Sequence, residues 1–198
     1  MSNLGPERYQ SNRSIRKLLH LAGASNTDVF YDLGCGIGQL CVVAVTEFGV
    51  KKAVGLERHK GRAKKSQKRI KELGLDDRIQ ITNEDFWHSD ISEATIAYFG
   101  QVESDEDVAD FEKKLSPGCK IITLFLPLVG IIPDNADYPF YLMQFPFTKT
   151  KSGSQWIASV LFKKATLKEL YQELDSDTEY TYDKVIFKRL MKKRLPNE

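Results

Sequence analysis

Asp32-Leu33-Gly34-Cys35-Gly36-Ile37-Gly38-Gln39 decides the fold. The apolar run from Val29 to Leu33 leads into it and reads as a buried strand. Leu40, Val43, Ala44 and Phe48 follow with helical spacing, and Gly49 stands where that helix stops. Three glycines at every second position let the backbone turn sharply and come close to a ligand, with no Cβ in the way. The helix that follows offers unpaired N–H groups and the positive end of its dipole. The spacing also discriminates between ligands. A dinucleotide fingerprint needs Gly-x-Gly-x-x-Gly, and the position where its third glycine would fall is Gln39. Gly-x-Gly-x-Gly, with Asp32 two residues ahead, suits a nucleoside carrying an amino-acid tail better than a pyrophosphate.

Working outward, strands and helices alternate. Ile15, Leu18, Leu19 and Ala22 predict a helix ending at Gly23. Ala53 to Leu56 predicts a second strand, and Ala63, Gln67, Ile70 and Leu73 a helix ending at Gly74. Further strands are expected at Ile79 to Thr82, Thr95 to Phe99 and Ile121 to Phe125, with a helix through Val108, Phe111 and Leu115. Leu126 to Tyr138 reads as a loop. Phe140 to Phe145 and Trp156 to Phe162 then predict an antiparallel hairpin, because no helix separates them. The expected fold is α/β: a doubly wound, mostly parallel seven-stranded sheet with a C-terminal antiparallel hairpin. Residues 1–162 form the expected domain, and residues 163–198 a basic appendage.

Two carboxylates extend the site. Glu57 ends the second strand roughly 20 residues beyond the loop, where an acid accepts hydrogen bonds from ribose hydroxyls. Asp85, in Asn83-Glu84-Asp85-Phe86 after the third strand, is placed to accept from an adenine amino group, with Phe86 or Ile37 against the ring.

Together these segments resemble the class I, seven-stranded S-adenosylmethionine-dependent methyltransferases over about residues 5–162. The resemblance implies S-adenosylmethionine as cofactor. It implies cofactor roles for Asp32, Gly34, Gly36, Gly38, Glu57 and Asp85, with Cys35, Gln39, Arg58 and Phe86 beside them. The end of the fourth strand usually supplies acceptor-facing residues, here Tyr98 and Phe99. That point lacks the Asp/Asn-Pro-Pro-aromatic motif of enzymes acting on a base amine or a glutamine amide. Neither a Pro-Cys nucleophile nor an acid at the fourth strand's end is present.

Glu7-Arg8-Tyr9, the glycine loop, Lys114-Leu115-Ser116-Pro117-Gly118, and Phe145-Pro146-Phe147 followed by Trp156 resemble small non-SET protein lysine methyltransferases. These are the disruptor-of-telomeric-silencing type and its compact archaeal or mitochondrial relatives. In such enzymes an N-terminal tyrosine segment folds over the cofactor, which implies a place near it for Tyr9, with Ser11 or Asn12. Tyr98, Phe99, Tyr138, Phe140, Tyr141, Phe145, Phe147 and Trp156 gather aromatics near the expected open end, as an apolar lysine channel requires. The expected function is therefore transfer of a methyl group to the side-chain amine of lysine in proteins. An RNA or small-molecule methyltransferase is the alternative enzyme. A non-catalytic S-adenosylmethionine-binding module associated with nucleic acid is the alternative outside the enzymes.

Bulk properties narrow the setting. The 198 residues carry a net charge of +2, but in blocks. Lys51 to Lys71 is almost wholly basic, Glu84 to Glu112 wholly acidic, and the C-terminus basic again. The acidic run invites a lysine-rich protein partner, while the basic segments make nucleic acid a conceivable one. Cys35, Cys41 and Cys119 lack paired spacing, and His20, His59 and His88 lie far apart, so no disulfide framework and no metal site are expected. With no signal peptide and no membrane-length apolar run, a cytoplasmic location is expected.

Overall fold

In the strands around the glycine loop, residues alternate between two buried faces, as a sheet covered by helices on both sides demands. The computed structural model describes residues 10–100, 105–137 and 139–149, with the backbone alone for residues 105–107. Tyr9, Tyr138, Trp156 to Phe162 and the 163–198 appendage lie outside the described residues.

The elements are α1 (Asn12–Ala22), β1 (Val29–Leu33), α2 (Gln39–Thr46), β2 (Lys52–Leu56), α3 (Lys60–Glu72), β3 (Ile79–Thr82), β4 (Ile96–Phe99), α4 (Asp105–Glu112), β5 (Lys120–Leu124), β6 (Asn135–Asp137) and β7 (Phe140–Gln144). They build one seven-stranded sheet in the order β3-β2-β1-β4-β5-β7-β6. The pairs among β1 to β5 are parallel, and β7 runs antiparallel to both β5 and β6. The doubly wound, mostly parallel sheet expected from the sequence is the one observed.

One strand falls where a loop was expected: besides β5, β7 pairs with β6, inside Leu126 to Tyr138, while the expected strand Trp156 to Phe162 lies outside the described residues. Asn135-Ala136-Asp137 is short, and Asn and Asp are poor strand formers, so it carries no strand signal of its own. Pairing holds it: Ala136 sits opposite Tyr141, and the Asp134 carboxylate accepts the Gln144 N–H at 2.7 Å.

One face buries Phe30, Ile96, Tyr98 and Ile122 beneath α1, α2 and α3 through Ile15, Leu18, Val43 and Ile70. The other buries Tyr31, Ala97, Phe99 and Ile121 with Val108, Phe111 and Leu115. Ser11 caps α1 by accepting the Ser14 N–H at 3.1 Å, a bond whose loss costs about 1 kcal/mol. No helix among the described residues is long and apolar enough to cross a membrane.

Candidate active site

β1 has β2 on one side and β4 on the other, so its C-terminal end is the switch point of the sheet, where α/β folds hold ligands. The glycine loop leaves the strand there. Gly34, Gly36 and Gly38 have φ of 108°, 55° and 74°. A Cβ at Gly34 or Gly36 would meet no atom of the described residues within 4 Å, so among these the bare loop looks onto open space. Gly38 is glycine for a second reason: behind it the Ser66 hydroxyl of α3 stands 2.7 Å from where a Cβ would lie. Gly38 is the N-cap of α2 and brings no capping side chain.

Two acids converge on this loop. Glu57 is buried, at 5% exposure, and turned toward the loop: its Oε2 accepts the Gly36 N–H at 3.1 Å and its Oε1 the His59 N–H at 2.7 Å. A carboxylate has about four lone-pair directions, so capacity for two further donors remains. The Asn83 amide donates to the carbonyls of Glu57 (2.9 Å) and Arg58 (3.1 Å), pinning the backbone that carries the acid. Asp32 is also buried, and its Oδ2 has no hydrogen-bond partner among the described residues. Burial, and then the nearby charge of Glu57, pushes its carboxyl up to about 7. An orphaned buried carboxylate is costly, and a cationic ligand group would relieve it.

Register puts Tyr98 of β4 directly beside Asp32 of β1. Its hydroxyl accepts a hydrogen bond from the Gln10 amide, which in turn accepts from the Ser14 hydroxyl at 3.3 Å. Phe99, the next residue, necessarily faces the other way. Its ring stacks on Phe111 (5.5 Å) and meets Phe86 (4.9 Å) and Trp87 (5.6 Å) edge-on. Strand alternation sets it in the core on the face opposite Tyr98. Phe140 and Tyr141 are likewise core residues, on opposite faces of β7. Phe145 and Phe147 pack together on the Phe99 side.

Arg58 and Asp85 follow the C-terminal ends of β2 and β3, on the same edge of the sheet as the loop. Arg58 is exposed next to Glu57. Asp85 is half-buried, and its Oδ1 accepts the Trp87 N–H at 3.1 Å, shaping the turn that holds Phe86. Lys114 fixes that turn from below, donating to the carbonyls of Phe86 (3.2 Å), Trp87 and Ser89 (3.3 Å). Cys35 contributes backbone: its N–H donates to the Leu56 carbonyl at 3.0 Å, while its side chain fills the space left by Gly55. Burial, followed by the charge of Asp32, raises its thiol and that of Cys41 far above the usual range. Burial alone pushes Cys119 up to about 12. Burial thus favours the protonated thiol, the poorer nucleophile, at all three. No His/Cys/Asp/Glu cluster fit for a metal ion occurs among the described residues.

Three residues here carry no sequence signal of their own: Gln10, Asn83 as a backbone clamp, and Arg69. Arg69 donates to the Ile37 carbonyl at 2.9 Å and to the Gln39 side chain, whose amide donates to Asn12 at 2.7 Å. Within a helix dense in surface lysines, its half-buried position is invisible until the helix is docked.

A glycine loop facing open space, an acid with spare acceptor capacity and an orphaned buried carboxylate, all at the switch point of this sheet, define a Rossmann-like methyltransferase. The family model for the ANTKMT methyltransferase domain matches residues 32–135, over half the chain, and the chain belongs to that family. It is 34% identical over 111 residues to a protein-lysine N-methyltransferase of Saccharolobus islandicus, covering 55% of this chain and 69% of that protein. It is 28% identical over 198 residues to a histone-lysine N-methyltransferase, H3 lysine-79 specific, of Dictyostelium discoideum, covering 89% of this chain but 10% of that much longer one. In structure it resembles an RNA methyltransferase of Salinibacter ruber bound to S-adenosyl-L-homocysteine, with a TM-score of 0.67 and 27% identity over 73% of this chain and 98% of that one.

Proposed function

We propose that this S-adenosylmethionine-dependent methyltransferase acts on the side-chain amine of lysine in a protein. The observation that carries this reading is the likeness to the Saccharolobus islandicus protein-lysine N-methyltransferase, which extends over more than two thirds of that enzyme. The site supports it. Asp32 suits a ligand ammonium, Glu57 a pair of ribose hydroxyls, and the loop Gly34 to Gly38 a close-lying nucleoside, with Arg58, Asp85 and Phe86 on the adenine side. Cys35 and Gln39 serve through the shape of the loop, and Tyr9 belongs to the segment leading to Gln10.

Bound there, S-adenosylmethionine supplies a sulfonium methyl open to in-line displacement by an amine lone pair. A free lysine, with a pKa of ~10.4, is neutral about once in 2,500 at pH 7. The chain therefore has to favour the neutral amine, and desolvation does so. Tyr98 is the buried aromatic of β4 that pairs in register with Asp32, and it is the residue assigned to orient the acceptor. Holding that amine in line supplies rate without a strong base.

The test is transfer of tritiated methyl groups to basic proteins, followed by acid hydrolysis and amino-acid analysis. Label in methyllysine is the expected result, and label in other amino acids alone contradicts the reading. The Salinibacter ruber structure and the lysine-lined outer face of α3 favour a second reading, an RNA acceptor. Label confined to RNA in a mixed substrate pool would establish that one instead.

A further inference from the structure

We propose that Arg69 is a positioning residue that holds the cofactor loop in its binding shape and couples it to the N-terminal segment. This rests on the reading that the loop seats S-adenosylmethionine. The arrangement is a chain of hydrogen bonds across three elements. Arg69 of α3 spends one arm on the Ile37 carbonyl, inside the loop, at 2.9 Å, and another on the Gln39 side-chain oxygen. With its oxygen engaged, the Gln39 amide is left with its nitrogen directed outward, and that nitrogen donates to Asn12 in the first turn of α1 at 2.7 Å. Gln10, two residues earlier, holds Tyr98 on the acceptor side.

The chemistry explains why arginine stands here. The two acceptors belong to residues on either side of Gly38. A planar guanidinium satisfies both at once in fixed directions, while a lysine ammonium is a compact point charge. Neither acceptor is anionic, so the contact is not an ion pair placed for surface stability. Its partners are a backbone carbonyl in the loop and the side chain that determines which way Gln39 faces. Gly38, between them, has φ of 74° and rests on Ser66 of the same helix. A loop with three glycines has many unfolded alternatives, and glycine loses the most freedom on ordering. Arg69 confines that freedom before the cofactor arrives, which lowers the ordering cost of binding. Through Gln39 the same guanidinium holds the first turn of α1, so that the cofactor seat and Gln10, which donates to the Tyr98 hydroxyl, are set together.

The experiment is calorimetric titration of S-adenosylhomocysteine into the full chain, with Arg69→Met, Arg69→Lys, Asn12→Ala and the Arg69→Met/Asn12→Ala double variant. Methyl-transfer kinetics and Tm are measured alongside. Arg69→Met should weaken binding about tenfold and raise the KM for S-adenosylmethionine in proportion, with kcat at saturating cofactor within about twofold of wild type. Arg69→Lys should fall between, because an ammonium in this pocket replaces one of the two bonds. Asn12→Ala should weaken binding a few-fold, and should add nothing in the Arg69→Met background, because both changes cut one chain. If Arg69→Met does not fold, the Arg69→Lys and Asn12→Ala pair carries the same cycle. Unchanged affinity with a lowered Tm, or effects of Arg69 and Asn12 that multiply independently, would overturn the proposal. Failure of the wild-type chain to bind S-adenosylhomocysteine is a different outcome: it removes the cofactor seat and this proposal with it.

Discussion

Asp32 is the residue whose chemistry is most exposed to test. Its carboxyl is pushed up to about 7 by burial and then by Glu57. A folded-state value above the ordinary one means that the folded protein holds the proton more tightly. The stabilisation this gives is complete below the ordinary carboxylate range and is lost as pH rises through about 7. Asp32→Asn removes the effect, so the Tm of the variant should rise relative to wild type between pH 4 and pH 8. Binding should behave oppositely. A cationic ligand group needs the ionised carboxylate, so wild-type affinity for S-adenosylhomocysteine should climb from pH 6 to pH 7.5, while Asp32→Asn binds weakly without that climb. Parallel melting and calorimetric series check both, and a flat wild-type binding profile would contradict the assignment. Tyr98 belongs to the same scale. Tyr98→Ala should lower kcat tenfold or more while leaving the affinity for S-adenosylhomocysteine within a few-fold, because the residue is assigned to the acceptor. Loss of cofactor affinity with kcat retained would reverse that.

At the scale of elements, the junction of β1, the glycine loop and α2 rests on α3. Gly38→Ala places a Cβ where φ is 74° and the Ser66 hydroxyl lies 2.7 Å away. The left-handed conformation alone costs about 1–2 kcal/mol for a non-glycine residue, and the clash adds to it. The expected outcome is a lowered Tm and at least tenfold weaker cofactor binding, measured by melting and calorimetry. Gly38→Ala/Ser66→Gly should recover part of both, and no recovery would mean that the packing against Ser66 is unimportant. What was legible in the sequence follows the same line. β1 to β5 and α1 to α4 announce themselves because each has a buried face long enough to repeat its period. β6 does not, because three residues held by pairing and one Asp134 contact are too few to repeat a period. The place of Glu57 against the loop follows from the topology, a strand end beside it. Arg69, Gln10 and the clamp by Asn83 escape, since each works through a helix or turn docked against the loop, and such docking is not written in local spacing. Tyr98 and Phe99, adjacent on β4, face opposite sides of the sheet, a consequence of strand alternation that naming both as a pair passes over.

For the molecule as a whole, charge and sheet polarity divide the roles of the two flanks. On the proposed reading the nucleoside lies over β1, β2 and β3, beside α3 with its exposed Lys60, Lys64, Lys65, Lys68 and Lys71, and the acceptor over β4 and β5, beside α4, whose sequence is acidic. A lysine-bearing substrate would then be drawn to the second flank and repelled from the first, so methyl transfer to basic proteins should slow as salt rises. Rates insensitive to ionic strength would argue that apolar contacts alone select the substrate. Every part of this picture assumes that the switch point of the sheet binds the cofactor with Glu57 on its sugar. The measurement that tests it most directly is calorimetric titration of S-adenosylhomocysteine into the wild-type chain and Glu57→Gln at pH 7.5. Saturable one-to-one binding by wild type, weakened at least tenfold in a variant that still melts cooperatively, is predicted. Absence of binding by the wild-type chain, or equal affinity in Glu57→Gln, would contradict it.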